Sequence, residues 1–142
     1  MQTAHAPYAR NGLSAMAYRR VHIEAQIGGS ATPHRLVSML FDGAIEAMNN
    51  AKGAMADRNI EAKGRAISRA VGIVDGGLRA SLDMGSGGEL AEDLHALYGY
   101  ILSRLTYANL KSDIHAIDEC IKLIKPIRDA WNAIEPGRPL AN

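Results

Sequence analysis

The chain has 142 residues, 47% of them hydrophobic and 22% charged, and its 16 basic and 15 acidic side chains leave a net charge of +1. That length fits one domain with its own core, and near-neutrality without a block of like charge gives nucleic-acid binding no electrostatic support. A single cysteine, Cys120, precludes an internal disulfide, MQTAHAPYAR lacks the apolar stretch of a secretory signal, and no run of eighteen apolar residues could span a membrane. A soluble protein of the cytoplasm is expected.

Residues 1–30 read as an N-terminal arm, rich in Ala, Gly and small polar residues and closed by Gly28-Gly29-Ser30. Ala17 to Ile23 alternates roughly apolar and polar, so the arm is expected to be extended along a surface or partly disordered. Thr32-Pro33 then gives a hydroxyl N-cap with proline at the first helical position. The stripe Val37, Leu40/Phe41, Ala44, Met48, Ala51, Met55 continues this first helix to a polar turn at Asp57-Arg58-Asn59.

A second helix is expected with Ile60, Ile67, Val71, Val74, Leu78 and Leu82 on one face. It contains Gly64, Gly72, Gly76 and Gly77, each costing roughly 1 kcal/mol against alanine in a helix interior, so packing must hold it. The turn Gly85-Ser86-Gly87-Gly88 ends it. After a third helix, the corner Lys111-Ser112-Asp113 supplies a new N-cap. The fourth helix carries Ile114, Ile117, Ile121, Ile124, Ile127 and Trp131, with a kink expected at Pro126.

Four helices joined by short turns make the fold class all-α, an antiparallel up-down-up-down four-helix bundle over residues 31–135, followed by a coil tail at 136–142.

The third helix is the unusual one. Leu94 to Leu110 is seventeen residues with one formal charge, Arg104, where 22% would give about four. Its apolar stripe is Leu94, Leu97/Tyr98, Ile101, Leu105 and Ala108. The opposite face holds Ala96, Gly99, Ser103 and Leu110, with Tyr100 and Tyr107 at its margin. A surface helix normally turns charge to water. A small, aromatic face is suited instead to another protein, either a partner or a second copy of the chain across a homodimer seam.

Catalytic and metal chemistry find little support. A di-metal carboxylate bundle needs two Glu-x-x-His motifs, and only Glu92-Asp93-Leu94-His95 matches. Glu89, Glu92 and Asp93 are read more simply as acidic residues at the start of a helix, complementing its dipole. His115 and Glu119, at i and i+4, are a weak second pair. Cys120 reads as a small core residue, as do Met39, Met48 and Met55. No cofactor is expected.

His95-Ala96-Leu97-Tyr98-Gly99 resembles the His-x-Leu-Lys-Gly pattern of histidine phosphotransfer bundles, which implies His95 as an alternative phosphoryl acceptor. Tyr98 stands where that family has the lysine that steadies the phosphoryl oxygens, and His95 is placed in the first turn of its helix.

A wider resemblance runs from Tyr18 to Ile134. It rests on Thr32-Pro33-x-x-Leu36-x-x-Met39-Leu40-Phe41-Asp42-Gly43-Ala44, on Gly87-Gly88-Glu89-Leu90-Ala91 and on Leu94-x-x-Leu97-Tyr98-x-Tyr100. Leu105-x-x-Ala108-Asn109, Asp113 and Ala130-Trp131 complete it. In these elements the chain resembles the FliS family, cytoplasmic export chaperones of flagellin.

The resemblance implies a non-enzymatic bundle that binds the C-terminal segment of flagellin by helix-in-groove packing. It would prevent premature polymerisation and support delivery to the flagellar secretion machinery, with other flagellar regulators as further partners. It assigns Tyr18 to an arm that occupies part of the groove when flagellin is absent. The partner-binding residues expected are then Tyr18, Leu36, Leu40, Asp42, Tyr98, Tyr100, Ser103, Tyr107, Asn109 and Asp113. Asn109 and Asp113 have structural alternatives at the corner between helices three and four, and Asp42 has the alternative of simply facing water.

Overall fold

The computed structural model describes residues 32–134, and the N-terminal arm and the C-terminal tail lie outside them. Helix α1 spans Pro33–Ala56, with Thr32 as N-cap, its hydroxyl accepting from the Arg35 N–H at 3.0 Å. Asn59 caps α2, Ile60–Ile73, by accepting from the Ala62 N–H at 3.0 Å. Helix α2 passes directly into a π-helical turn, Val74–Arg79.

Two successive glycines lie in that turn, and one is needed for close approach. A Cβ on Gly77 would sit 3.0 Å from Leu40 Cδ2 and 3.3 Å from Cδ1, so α1 and the π turn pack backbone against side chain there. The wider i→i+5 turn is a common local adjustment where a helix is bent to a neighbour or a site.

Helix α3, Gly88–Lys111, begins at a glycine with φ of +62°. Just before it, a Cβ at Gly87 would stand 2.4 Å from the Asp83 carbonyl oxygen, which only glycine permits. The helix ends at Ser112, in the left-handed region with φ of 51°. Asp113 then caps α4, Ile114–Ala133, accepting from the His115 N–H at 2.9 Å.

Each helix neighbours the one before and after it in the chain, and α4 closes back on α1, so the bundle is antiparallel up-down-up-down. Among the described residues there is no strand. Met48, Ile73, Ile101, Leu105, Ile117 and Ile124 fill the centre. Cys120 is buried with its Sγ directed at the Ile101 carbonyl, and burial pushes its thiol up to about 12, so it is an unreactive core residue at neutral pH.

The expected stripes of α1, α3 and α4 face this core, and two residues of α2 stand out. Ile60, the first residue of α2, is 65% exposed, because the chain is only entering the bundle there. Lys63 is buried in its place: its ammonium donates to the Asn109 carbonyl at 2.9 Å and to Ser112 Oγ at 2.6 Å. That puts a cation on the negative end of the α3 dipole. Helix α4 runs unbroken through Pro126. Proline withholds a donor from the Lys122 carbonyl, and both residues are exposed, so the loss falls on the solvent side.

Candidate partner-binding surfaces

At one end of the bundle, where α1 and α3 start and the π turn and α4 end, the chain forms an open groove of about 430 Å³. Its wall is almost wholly apolar. Val37 and Phe41 come from α1, Leu78 and Leu82 from the π turn and the residues after it, Leu90, Leu94 and Tyr98 from α3, and Ile127, Trp131 and Ile134 from the end of α4.

A clasp between the start of α1 and the end of α4 holds that wall. Trp131 Nε1 donates to the His34 carbonyl at 3.0 Å, and His34 Nε2 lies 2.9 Å from the Trp131 carbonyl. The two rings stack with centroids 4.8 Å apart. Next to them Ser38 Oγ donates to Asn132 Oδ1 at 2.8 Å. The indole body is thereby left facing the groove. On the loop side the Asp83 carboxylate accepts from Gly85 and Ser86, which holds it below the usual carboxylate range and fixes the turn into α3.

The outer face of α3 carries a second feature. Tyr100 and Tyr107 are 46% and 41% exposed, and Leu110, one turn on, is 77% exposed. Ser103 lies exposed between the tyrosines. These residues recur every three or four positions and make one stripe along the helix. The tyrosines are not loose. Tyr100 donates its hydroxyl to Glu119 Oε2 at 2.5 Å, and Arg104 Nε donates to Glu119 Oε1 at 2.8 Å. The Arg104 guanidinium lies over the Tyr107 ring, 4.8 Å from its centroid. The hydroxyl and the guanidinium hold the Glu119 carboxyl below its ordinary range, while the same carboxylate raises the Tyr100 phenol. The lone charge between Leu94 and Leu110 is thus spent on orienting the aromatic face of α3.

The remaining expected site residues divide. Tyr98 and Leu40 are 2% and 7% exposed, so they serve the core first. Tyr98 reaches a partner only through the groove, and Leu40 packs against Gly77. Leu36 is half-buried near the start of α1. Asp42 pairs with Arg128 Nη1 at 3.4 Å across to α4 instead of merely facing water. Asn109 offers its carbonyl to Lys63, while its exposed side chain makes no hydrogen bond among the described residues. Asp113 is occupied as the α4 cap. Tyr18 lies outside the described residues.

His95 is exposed, and since α3 begins at Gly88 it stands two turns inside the helix instead of in the first turn. Tyr98, at the position of the phosphotransfer lysine, is turned into the core and brings no cation to it. Glu119, considered with His115 as a metal pair, is engaged by Tyr100 and Arg104. Among the described residues no three His, Cys, Asp or Glu side chains converge on a metal-sized site. None of the described helices is long and apolar enough to cross a membrane.

Sequence reasoning missed Glu119 as the organiser of the tyrosine face, and His34 and Asn132 as the clasp. The signals were weak: Glu119 follows Tyr100 by 19 residues, and His34 and Trp131 are 97 apart. No local period connects such pairs.

Comparison with known proteins converges with this geometry. The family model described as flagellar protein FliS matches residues 14–138. The flagellar secretion chaperone FliS of Salmonella typhimurium is 43% identical over 129 residues, covering 91% of this chain and 93% of that protein. The protein of the same description from Escherichia coli is 42% identical, covering 87% of this chain and 89% of its own length. The flagellar secretion chaperone FliSB of Pseudomonas aeruginosa is 43% identical, covering 82% and 91%. An all-helical bundle with an apolar groove, matched over most of its length in this way, belongs to the FliS family of flagellar secretion chaperones.

Proposed function

We propose that this chain acts in the cytoplasm as the export chaperone of flagellin, holding its C-terminal segment until the secretion apparatus takes it. The observation that carries this reading is the almost wholly apolar groove at the Trp131 end of the bundle. Water is a poor cover for such a surface, and a groove of this kind suits the apolar face of an incoming helical segment. The tyrosine stripe on α3 extends the apolar contact along the bundle, with Arg104 and Glu119 keeping the rings in place. Rigid aromatic side chains add contact area at little entropic loss.

The mechanism is masking. A segment built to pack against copies of itself in a polymer is covered by the bundle, so assembly waits for export. Binding without turnover needs no nucleophile, metal or cofactor. The relatives' description as secretion chaperones supports delivery to the flagellar secretion machinery, and other flagellar regulators are further partners in this proposal.

The test is isothermal titration of the full chain with purified flagellin and with flagellin truncated at its C-terminus. A one-to-one complex with the first and none with the second is expected. Equal binding to both removes the reading.

A further inference from the structure

Four residues lining the groove carry polar side-chain atoms: Ser81, Asp83, Tyr98 and Trp131. Three of them are engaged within the protein. Ser81 Oγ donates to the Gly77 carbonyl at 2.6 Å, and Trp131 Nε1 donates to the His34 carbonyl. The Asp83 carboxylate takes the N–H groups of Gly85 and Ser86.

Tyr98 differs from all three. It is 2% exposed, and among the described residues its hydroxyl neither gives nor receives a hydrogen bond. Burial alone pushes its phenol up to about 12, with no hydrogen bond contributing. Buried polar groups are paired in the great majority of cases, and one left alone is a standing penalty on the fold. Phenylalanine would fill the same apolar wall without that penalty. An acceptor that arrives with whatever fills the groove would remove that penalty.

We propose that the Tyr98 hydroxyl donates a hydrogen bond to a free backbone carbonyl of the flagellin segment, which enters the groove as a helix end or turn. The inference rests on the flagellin reading above and adds the form of the occupant. A phenol in this position needs an acceptor, and an apolar wall disfavours a carboxylate, whose charge would have to be desolvated there. Carbonyls inside a helix already accept from their own i+4 N–H groups, whereas the last four of a helix and those of a turn are free. The free carbonyl of a helix end or turn is therefore a better acceptor for Tyr98 than one already bonded inside a helix. One directional bond in dry surroundings also fixes a register that apolar contacts alone leave free to slide.

The experiment compares the wild-type chain with Tyr98→Phe, reading thermal unfolding of each free protein and calorimetric affinity for the purified flagellin C-terminal segment. Y98F is expected to unfold at the same or a higher temperature and to bind about tenfold more weakly. Wild-type affinity in Y98F overturns the proposal and leaves the flagellin reading standing. So does a parallel loss of stability and affinity, which makes the hydroxyl a structural group. Failure of the wild-type chain to bind the segment overturns both. In the complex with isotope-labelled segment, residues showing NOE contacts to the Trp131 indole are expected to have the backbone shifts of a helix terminus or turn. Unbroken helical shifts at those residues also overturn it.

Discussion

The ammonium of Lys63 and the carbonyl of Asn109, 2.9 Å apart, tie the first turn of α2 to the last turn of α3 at the end of the bundle away from the groove. Ser112 Oγ, 2.6 Å from the same nitrogen, completes the site. Lys63→Met keeps the aliphatic stem but leaves the Asn109 carbonyl without its donor. It is expected to lower stability by about 1–3 kcal/mol. Urea titration followed by circular dichroism measures this, and a midpoint equal to wild type would assign the pair no role.

The tyrosine stripe yields a binding prediction. Replacing both Tyr100 and Tyr107 with Asp places charge on the exposed face and leaves the buried residues of α3 untouched. Affinity for the flagellin segment is expected to fall about tenfold or more, as for the loss of aromatic hot spots. Far-UV circular dichroism should stay helical. Unchanged affinity would confine binding to the groove.

Acidity should act through Glu119. Tyr100 and Arg104 hold its carboxyl below the ordinary range in the folded chain. Its contribution to stability is therefore present above the unfolded-state carboxylate pKa and is lost as pH falls through the lower folded value. Asp118, lowered by Lys52, adds in the same direction. Glu119→Gln should flatten the fall in melting temperature between about pH 6 and about pH 3. A melting curve as acid-sensitive as wild type would place the effect elsewhere.

Two glycines of the second helical segment should respond in opposite ways. A Cβ at Gly64 meets nothing within 4 Å, so Gly64→Ala is expected to stabilise by about 0.5–1 kcal/mol. At Gly77 the added atoms meet Leu40 at 3.0 Å, and Gly77→Val should destabilise by about 1–3 kcal/mol. Chemical denaturation distinguishes them, and equal signs would deny the close approach at Gly77 its importance.

These contrasts show what was readable in the chain. The Thr32 and Asp113 caps and the stripes of α1, α3 and α4 follow from local chemistry and a period of 3.6, and they stand in the structure. Tyr100 and Tyr107 are exposed because they lie off that stripe. What was not readable depends on register between distant elements. The contact of Tyr100 with a carboxylate on α4 depends on how α3 and α4 align. Burial of Lys63 depends on where α3 ends relative to α2. The π turn is a response to packing, and the glycines that permit it read equally well as plain helix breakers.

The clasp between His34 and Trp131 joins residues 97 apart in the chain. On the ribosome, the α1 wall of the groove is made before the Trp131 wall. Until Trp131 is made the polypeptide therefore has only part of a cradle. The groove is complete only when the start of α1 and the end of α4 meet.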